Sequence, residues 1–198
     1  MSDSDEVLLA PLEEADARAR ELLRPRLELP MRLVVETYGF LGLLASRILA
    51  TRIQTAARKV VAKLTMRVSN DLYCMATLAA RGFPLQAATL GASAVEGALA
   101  AAFIRESEGR ASKWIEHSDR RHSFESVPTM ISDVIGDVRA HETGSLAYQI
   151  YRELCMPKHT NPLVELRVGA EWRDDGVEFR NGLDLTENAI KVSFFALQ

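Results

Sequence analysis

The stretch Leu85–Ile104, LQAATLGASAVEGALAAAFI, is the most apolar part of the chain and sets its architecture. It consists almost wholly of Ala, Leu, Val and Gly, and it follows a stop signal formed by Gly82 and Pro84. A helix that is apolar on every side is expected at the centre of a helical domain, where other helices cover it. The sequence therefore predicts a central helix here.

One carboxylate, Glu96, interrupts this apolar helix. A buried carboxylate without a partner costs several kcal/mol, so a cation or a hydrogen-bond donor is expected beside it. Asp71 lies in a similar position, on the edge of the apolar face of the preceding helix. We expect both acids to be partly or wholly buried and paired with a cation, either Arg152 or His159. A salt bridge that only fixes helix packing explains them as well as an active-site role does.

Apolar residues recur at helical spacing on both sides of this stretch, and they predict further helices. Pro25 is expected to stop the first helix and Pro30 to open the second, with residues 1–10 as a loose acidic lead. The predicted helices lie between Pro11 and Pro25, from Pro30 onward, at Ile53–Ala80, within Glu106–Glu125, from Val127 to near His141–Gly144, and at Ser145–Cys155.

The pattern changes after Pro162. Leu163–Val168 alternates apolar and charged residues, and Asp174-Asp175-Gly176 is a turn signal, so a β-hairpin is expected. A last helix is predicted at Leu185–Leu197. The fold class is therefore all-α, a helical bundle with a small C-terminal β-hairpin and a terminal helix. We expect a single domain, 1–198, made of an acidic segment 1–24, a bundle core 30–162, and the hairpin with its helix in 163–198.

Composition supports a folded helical protein. Of the 198 residues, 47% are apolar and only 7% are aromatic, which favours helices over sheets. The net charge of −3 excludes a globally basic nucleic-acid-binding protein. Residues 25–82 nevertheless carry nine basic and three acidic side chains. Such a segment can bind a polyanion, or it can be the solvated face of helices.

Membrane spans, disulfides and cofactors are not expected. The apolar window Leu33–Ala50 contains Glu36 and Arg47, which makes it too short to cross a bilayer. The N-terminus is acidic, unlike a secretory signal, so a cytoplasmic location is predicted. Cys74 and Cys155 form no metal motif and are expected to be small core residues.

A metal site is also not expected. Four neighbouring side chains carry ligand atoms, but their spacing matches no zinc pattern, and a solvated charged surface explains them better. They are His117, Asp119, His122 and Glu125.

The stretch richest in chemistry is Tyr148–Pro162, YQIYRELCMPKHTNP. Pro157 is expected to end the helix shortly before it, so that His159 can fold back toward Arg152. An arginine that holds a phosphate beside a histidine that moves protons is sufficient to cleave RNA, because the 2′-hydroxyl supplies the nucleophile and no metal is needed. In the alternative interpretation, His159 and Asn161 close the end of the helix while Arg152 pairs with an acid.

An arginine separated from a histidine by four to six residues, late in an all-α bundle, resembles the motif of HEPN domains. Six residues separate Arg152 and His159. Between Val60 and Pro162, the order of other features also resembles an uncharacterised bacterial family with a HEPN-like fold. Those features are Asn70-Asp71, Gly82, Glu96, Tyr151, Leu154, Cys155 and His159-Thr160-Asn161.

The resemblance implies a HEPN-like, metal-independent ribonuclease of a toxin–antitoxin or anti-phage defence system. It implies RNA as the substrate, a homodimer whose two motifs face each other, and an antitoxin or effector protein as a further partner. Flat alanine-rich helix faces also favour self-association. Other HEPN proteins are inactive binding modules, and that alternative remains open. The implied roles are catalysis for Arg152 and His159, and substrate binding or orientation for Tyr151, Asn161, Glu96, Asp71 and Asn70.

Overall fold

The structure is a computed structural model that describes residues 3–117, 124–136, 145–159, 170–173 and 176–179, with side chains described for 13, 14, 16–117, 124–136 and 145–158. This part of the chain is predominantly helical, which confirms the all-α class for the described residues. Its helices are α1 (Asp3–Leu49), α2 (Ala56–Ala80), α3 (Pro84–Ile104), α4 (Glu108–Glu116), α5 (Val127–Ile135) and α6 (Leu146–Cys155), followed by a 3₁₀ turn at Pro157–His159.

Two short strands follow the helices. Strand β1 (Ala170–Arg173) pairs antiparallel with β2 (Gly176–Phe179), and Trp172 lies opposite Val177. The predicted first strand, Leu163–Val168, and the predicted last helix, Leu185–Leu197, lie outside the described residues.

Helix α1 differs from the sequence prediction, because it runs without a break through Pro25 and Pro30 and already begins at Asp3. Each proline removes one backbone N–H donor from the helix. The side chains of Leu23, Leu27 and Val34 are nevertheless all buried. Their spacing of four and seven residues keeps one apolar face in contact with the protein across both prolines. Continuous packing of that face therefore outweighs two missing hydrogen bonds.

Backbone contacts divide the chain into two compact units, and α1, α2, α3 and α6 each contribute residues to both. Unit 1 comprises 1–35, 73–91 and 154–198, and unit 2 comprises 36–72 and 92–153.

Within unit 1, glycine allows a close helix contact. A Cβ on Gly91 would lie 3.1 Å from Sδ of Met75 and 3.3 Å from Cδ2 of Leu154. An ion pair adds to this packing, since Nε of Arg81 donates to Oδ1 of Asp16 at 2.8 Å. Small side chains on α3 thus set how closely its neighbours within the unit approach.

Unit 2 contains an apolar core. Ile104 and Ile131 are fully buried there, from α3 and α5. The other buried members are Ala57, Val60, Leu64, Leu99, Ala100, Ala101, Phe103, Ala111 and Met130. Gly97 permits the close approach of α2 to α3, because a Cβ there would lie only 2.8 Å from Cγ2 of Val68.

Polar side chains fix α4 and α5 to this core. Arg110 donates to both carboxylate oxygens of Asp133 and to the carbonyl oxygen of Phe103, and its guanidinium lies 3.7 Å from the centre of the Phe103 ring. Helix α5 begins after Ser126, whose hydroxyl accepts from the backbone N–H of Thr129. It ends at Gly136, with φ of 75°, several residues before the predicted end near His141–Gly144. A glycine in the left-handed region terminates a helix readily.

The start of α2 is capped from a distant part of the sequence. Both carboxylate oxygens of Glu108 accept from the backbone N–H of Ala57 at 3.3 Å. A hydrogen bond with the Thr55 hydroxyl lowers the pKa of Glu108 below its usual range, and the backbone N–H groups of Ala57 and Ala56 lower it further. The first turn of α4 thus satisfies a donor at the N-terminus of α2.

One described helix is long and apolar enough to span a bilayer, and it is α3 rather than the window Leu33–Ala50. However, 61% of its apolar window is buried inside the protein. That burial is typical of the core helix of a bundle.

Candidate functional site

Helix α6 supplies the predicted catalytic arginine. The helix follows Ser145, whose buried hydroxyl accepts from the backbone N–H of Tyr148 at 3.3 Å. Leu154 is buried, whereas Arg152 in the last turn is exposed. The helix ends at Cys155, two residues before Pro157, which confirms the predicted helix end.

Tyr151 holds the partly buried Glu96 of the central helix. Its hydroxyl donates to Oε1 of Glu96 at 2.6 Å. A hydrogen bond to an ionised carboxylate is shorter and stronger than one between neutral groups. The Tyr148 ring stacks on that of Tyr151, with ring centres 6.3 Å apart. Tyr151 is therefore held on two sides, and Arg152 is the next residue along the helix.

Asp71 belongs to a second hydrogen-bonded group. The hydroxyl of Ser93 donates to Oδ2 of Asp71 at 2.8 Å, and Nη2 of Arg67 donates to the same hydroxyl at 2.9 Å. Nε of Arg67 lies 3.6 Å from Oδ2 of Asp71. Because Ser93 and Glu96 are three residues apart on α3, they lie on the same side of that helix. The central helix thus carries two polar contacts, one with α2 and one with α6.

The expected burial of both acids is confirmed, but the cation in contact with Asp71 is different. Its side chain is 17% exposed and pairs with Arg67 on its own helix, and among the described side chains Arg152 is not its partner. The side chain of His159 lies outside the described residues. Sequence reasoning missed Arg67, although it lies four residues before Asp71 on α2, a spacing that brings helical side chains together. Sequence reasoning also missed Ser93, a hydroxyl residue among apolar ones in the middle of α3.

The other predicted site residues fall in three groups. Asn70 and Arg152 are exposed, and among the described side chains Arg152 forms no ion pair. Tyr151 is half-buried. The side chain of His159 and the whole of Asn161 lie outside the described residues, although the backbone of His159 ends the 3₁₀ turn.

The two hydrogen-bonded groups can perform limited chemistry on their own. Ser93 donates to a carboxylate, but activation of a serine nucleophile needs a base such as histidine beside it. Both groups join one helix to another, so they fix the packing of α2 and α6 on α3. The exposed guanidiniums of Arg67 and Arg152 remain able to contact an anion.

Metal ligands are not clustered in the described part of the chain, where no three His, Cys, Asp or Glu side chains lie close enough to share an ion. Asp119 and His122 lie outside the described residues. Cys155 is buried as expected, whereas Cys74 is exposed on α2 and is not a core residue.

Similarity to known proteins places no constraint on this site. Comparison of the chain with family models, with curated proteins and with solved structures gave no match. The function proposed below therefore rests on the side chains and on the sequence pattern.

Proposed function

We propose that the protein is a metal-independent endoribonuclease with a HEPN-like fold, in which Arg152 binds the scissile phosphate and His159 transfers protons. The observation that carries the proposal is the setting of Arg152. It is exposed in the last turn of α6, and the preceding residue, Tyr151, is anchored to the central helix through Glu96. An exposed guanidinium on a fixed helix end suits bidentate contact with a phosphate.

The proposed reaction uses the substrate's own hydroxyl. The 2′-oxygen attacks the adjacent phosphorus and the bond to the 5′-oxygen breaks, which leaves a 2′,3′-cyclic phosphate and a 5′-hydroxyl. His159 accepts the 2′-proton or delivers a proton to the leaving oxygen, and Arg152 stabilises the negative charge on the phosphate. Tyr151 and Asn161 orient the substrate or the histidine. Glu96 acts through Tyr151.

The wider proposal rests on the sequence resemblance. It assigns the enzyme to a bacterial defence or toxin–antitoxin system, with an antitoxin or effector protein as a partner. Two copies would place their Arg152 and His159 motifs opposite each other. Asn70 and Asp71 of α2 would then contact or orient RNA beside the motif.

Cleavage of labelled single-stranded RNA tests the proposal. Wild-type protein is expected to cut in the presence of chelator, and its rate should change across neutral pH because an unperturbed histidine titrates near pH 6.5. Arg152→Ala and His159→Ala are each expected to lose on the order of a hundredfold in rate. Glu153→Ala, an exposed neighbour on the same helix, is the matched control and should cut as the wild type does.

Two results would contradict the proposal. One is the absence of cleavage by wild-type protein. The other is equal cleavage by Arg152→Ala, His159→Ala and the Glu153→Ala control. Circular dichroism of each variant must show unchanged helix content, and mass spectrometry of the product should show the cyclic phosphate.

The second candidate function is an inactive helical binding or oligomerisation module. The contacts of Glu96 and Asp71 favour it, because each acid joins two helices in the way a purely structural polar pair does. Glu96→Gln separates the candidates. A fall in melting temperature with unchanged RNA cleavage assigns Glu96 to packing. A loss of cleavage at an unchanged melting temperature assigns it to the site.

A further inference from the structure

Helix α1 carries large apolar side chains that lie in solvent. Leu29 is 67% exposed and Phe40 is 63% exposed, and Leu22 and Leu33 are each about half exposed. With Arg26 and Glu36, which are also exposed, they occur at intervals of four, three, four, three and four residues. This is the spacing of the a and d positions of a coiled coil. We call these six residues, Leu22, Arg26, Leu29, Leu33, Glu36 and Phe40, the α1 stripe.

The α1 stripe lies beside the face by which α1 packs on the protein, not on it. The buried side chains of α1 in this region are Leu23, Leu27 and Val34, each one residue after a stripe position. On an α-helix, one residue corresponds to a rotation of about 100°. The helix is thus apolar on two adjacent faces, and only one of them is covered by the described part of the chain.

The charges of the stripe are placed symmetrically. Position 31 is the midpoint between Arg26 and Glu36, and it is also the midpoint of the pairs Leu22–Phe40 and Leu29–Leu33. A second copy of α1 that ran antiparallel, with the two-fold axis at position 31, would therefore place Arg26 opposite Glu36 of the partner subunit. All the remaining layers would join two apolar side chains, Leu22 with Phe40 and Leu29 with Leu33. Parallel pairing in register would instead place like charges against each other, which is destabilising.

We propose that the α1 stripe is a homodimer interface in which two copies of the helix pair antiparallel about position 31. The occupant is a second copy because the charged and apolar positions of the stripe complement their own copies in this register. The 19 residues from Leu22 to Phe40 are separated by 18 steps of 1.5 Å, which gives a paired length of about 27 Å. The interface goes beyond the proposed ribonuclease function and stands whether or not the protein cleaves RNA.

Sedimentation velocity over a range of concentrations tests the interface by charge reversal. Arg26→Glu and Glu36→Arg should each weaken self-association by on the order of tenfold or more, because the two-fold axis turns one substitution into two like-charge contacts. The double variant Arg26→Glu/Glu36→Arg should restore the affinity of the wild type. Val35→Glu, at a half-exposed apolar position on another face of α1, is the matched control and should not change it.

Cross-linking tests the direction of pairing. In a Cys74→Ser background, which removes the exposed native thiol, Leu22→Cys mixed with Phe40→Cys should form a disulfide-linked dimer. Leu22→Cys alone should not, since the two copies of position 22 would lie about 27 Å apart. A strict monomer at high concentration would overturn the proposal. So would a double charge variant as weak as the single ones, or self-cross-linking of Leu22→Cys.

Discussion

The hydrogen bond between Tyr151 and Glu96 joins α6 to the central helix at a half-buried position. Tyr151→Phe is expected to lower the free energy of unfolding by about 1–2 kcal/mol, because the carboxylate loses the Tyr151 hydroxyl as a donor but keeps its burial. Glu96→Gln should cost less, since an amide oxygen still accepts. Urea unfolding of both single variants and the double variant should give a coupling energy of about 1 kcal/mol.

Tyr148→Phe is the control for this pair, because it keeps the ring that stacks on Tyr151. Its free energy of unfolding should stay within about 0.5 kcal/mol of the wild-type value. A coupling energy of zero between Tyr151 and Glu96 would show that the hydrogen bond between them contributes nothing to the stability of the protein.

Asp16 makes the free energy of unfolding depend on pH in the acidic range. Hydrogen bonds from Arg81 and then Arg20 lower the pKa of Asp16 from 3.8 to about 2. A carboxylate with a lowered pKa in the folded state stabilises it above pH 4, and that stabilisation is lost as the pH falls from about 4 to 2. Because the side chains of Arg20 and Arg81 are 57% and 45% exposed, we expect no more than about 1 kcal/mol.

Comparison of wild type with Asp16→Asn measures this contribution. The two proteins should differ in urea unfolding at pH 6, and the difference should shrink toward zero at pH 2. Glu13→Gln, an exposed acid on the same helix, should unfold as the wild type does at both pH values. A difference that stays constant between pH 6 and pH 2 would contradict the assignment to an ion pair.

At the scale of the elements, the contact of α2 with α3 depends on the absence of a side chain at Gly97. Gly97→Ala would place a Cβ 2.8 Å from Cγ2 of Val68, a side chain with little rotamer freedom. We expect a loss of about 1–3 kcal/mol in the free energy of unfolding, partly recovered by adding Val68→Ala. Melting temperature and urea unfolding measure both effects.

Gly39→Ala is the matched control, since no atom lies within 4 Å of the Cβ that it would add to α1. It should stabilise the protein by up to about 1 kcal/mol, because alanine favours a helix over glycine. A stabilising effect of Gly97→Ala would contradict this prediction, because it would mean that α2 and α3 can move apart without loss of stability.

The elements that the sequence predicts well are those with an uninterrupted apolar pattern and a clear stop. Helices α2 and α6 end within a few residues of the predicted positions, close to Gly82 and Pro157, and α3 ends at Ile104 as predicted. Helix α1 is predicted wrongly at Pro25, since tertiary packing, which the sequence does not display, compensates for the lost hydrogen bond.

For the candidate site, the sequence indicates which polar groups need partners but not which groups supply them. The position of Glu96 within an apolar helix predicts its burial directly. Its partner Tyr151 lies 55 residues away in sequence, and only the packing of α6 on α3 brings the two together. The partner of Asp71 could have been inferred from the spacing of Arg67, whereas the contribution of Ser93 could not.

The burial of α3 should determine which parts of the protein unfold locally most rarely. Its second half contributes five of the eleven buried residues of the unit 2 core, including Leu99, Phe103 and Ile104. Amide hydrogen exchange followed by mass spectrometry should therefore be slowest in peptides covering 92–104. Peptides covering 36–44 of α1, where most side chains are exposed, should exchange at least tenfold faster. Equal rates in both segments would contradict a central role for α3.

Because Glu108 caps α2, the first turn of α2 cannot be completed during translation until α4 has been synthesised. Ala57 leaves the ribosome 51 residues before the carboxylate that accepts from its N–H. At 5–20 residues per second, translation of that interval takes roughly 3–10 s. During this time water must serve as the acceptor, so the first turn of α2 in the nascent chain stays frayed until α4 emerges. The beginning of one helix is thus completed by a residue translated after the whole of α3.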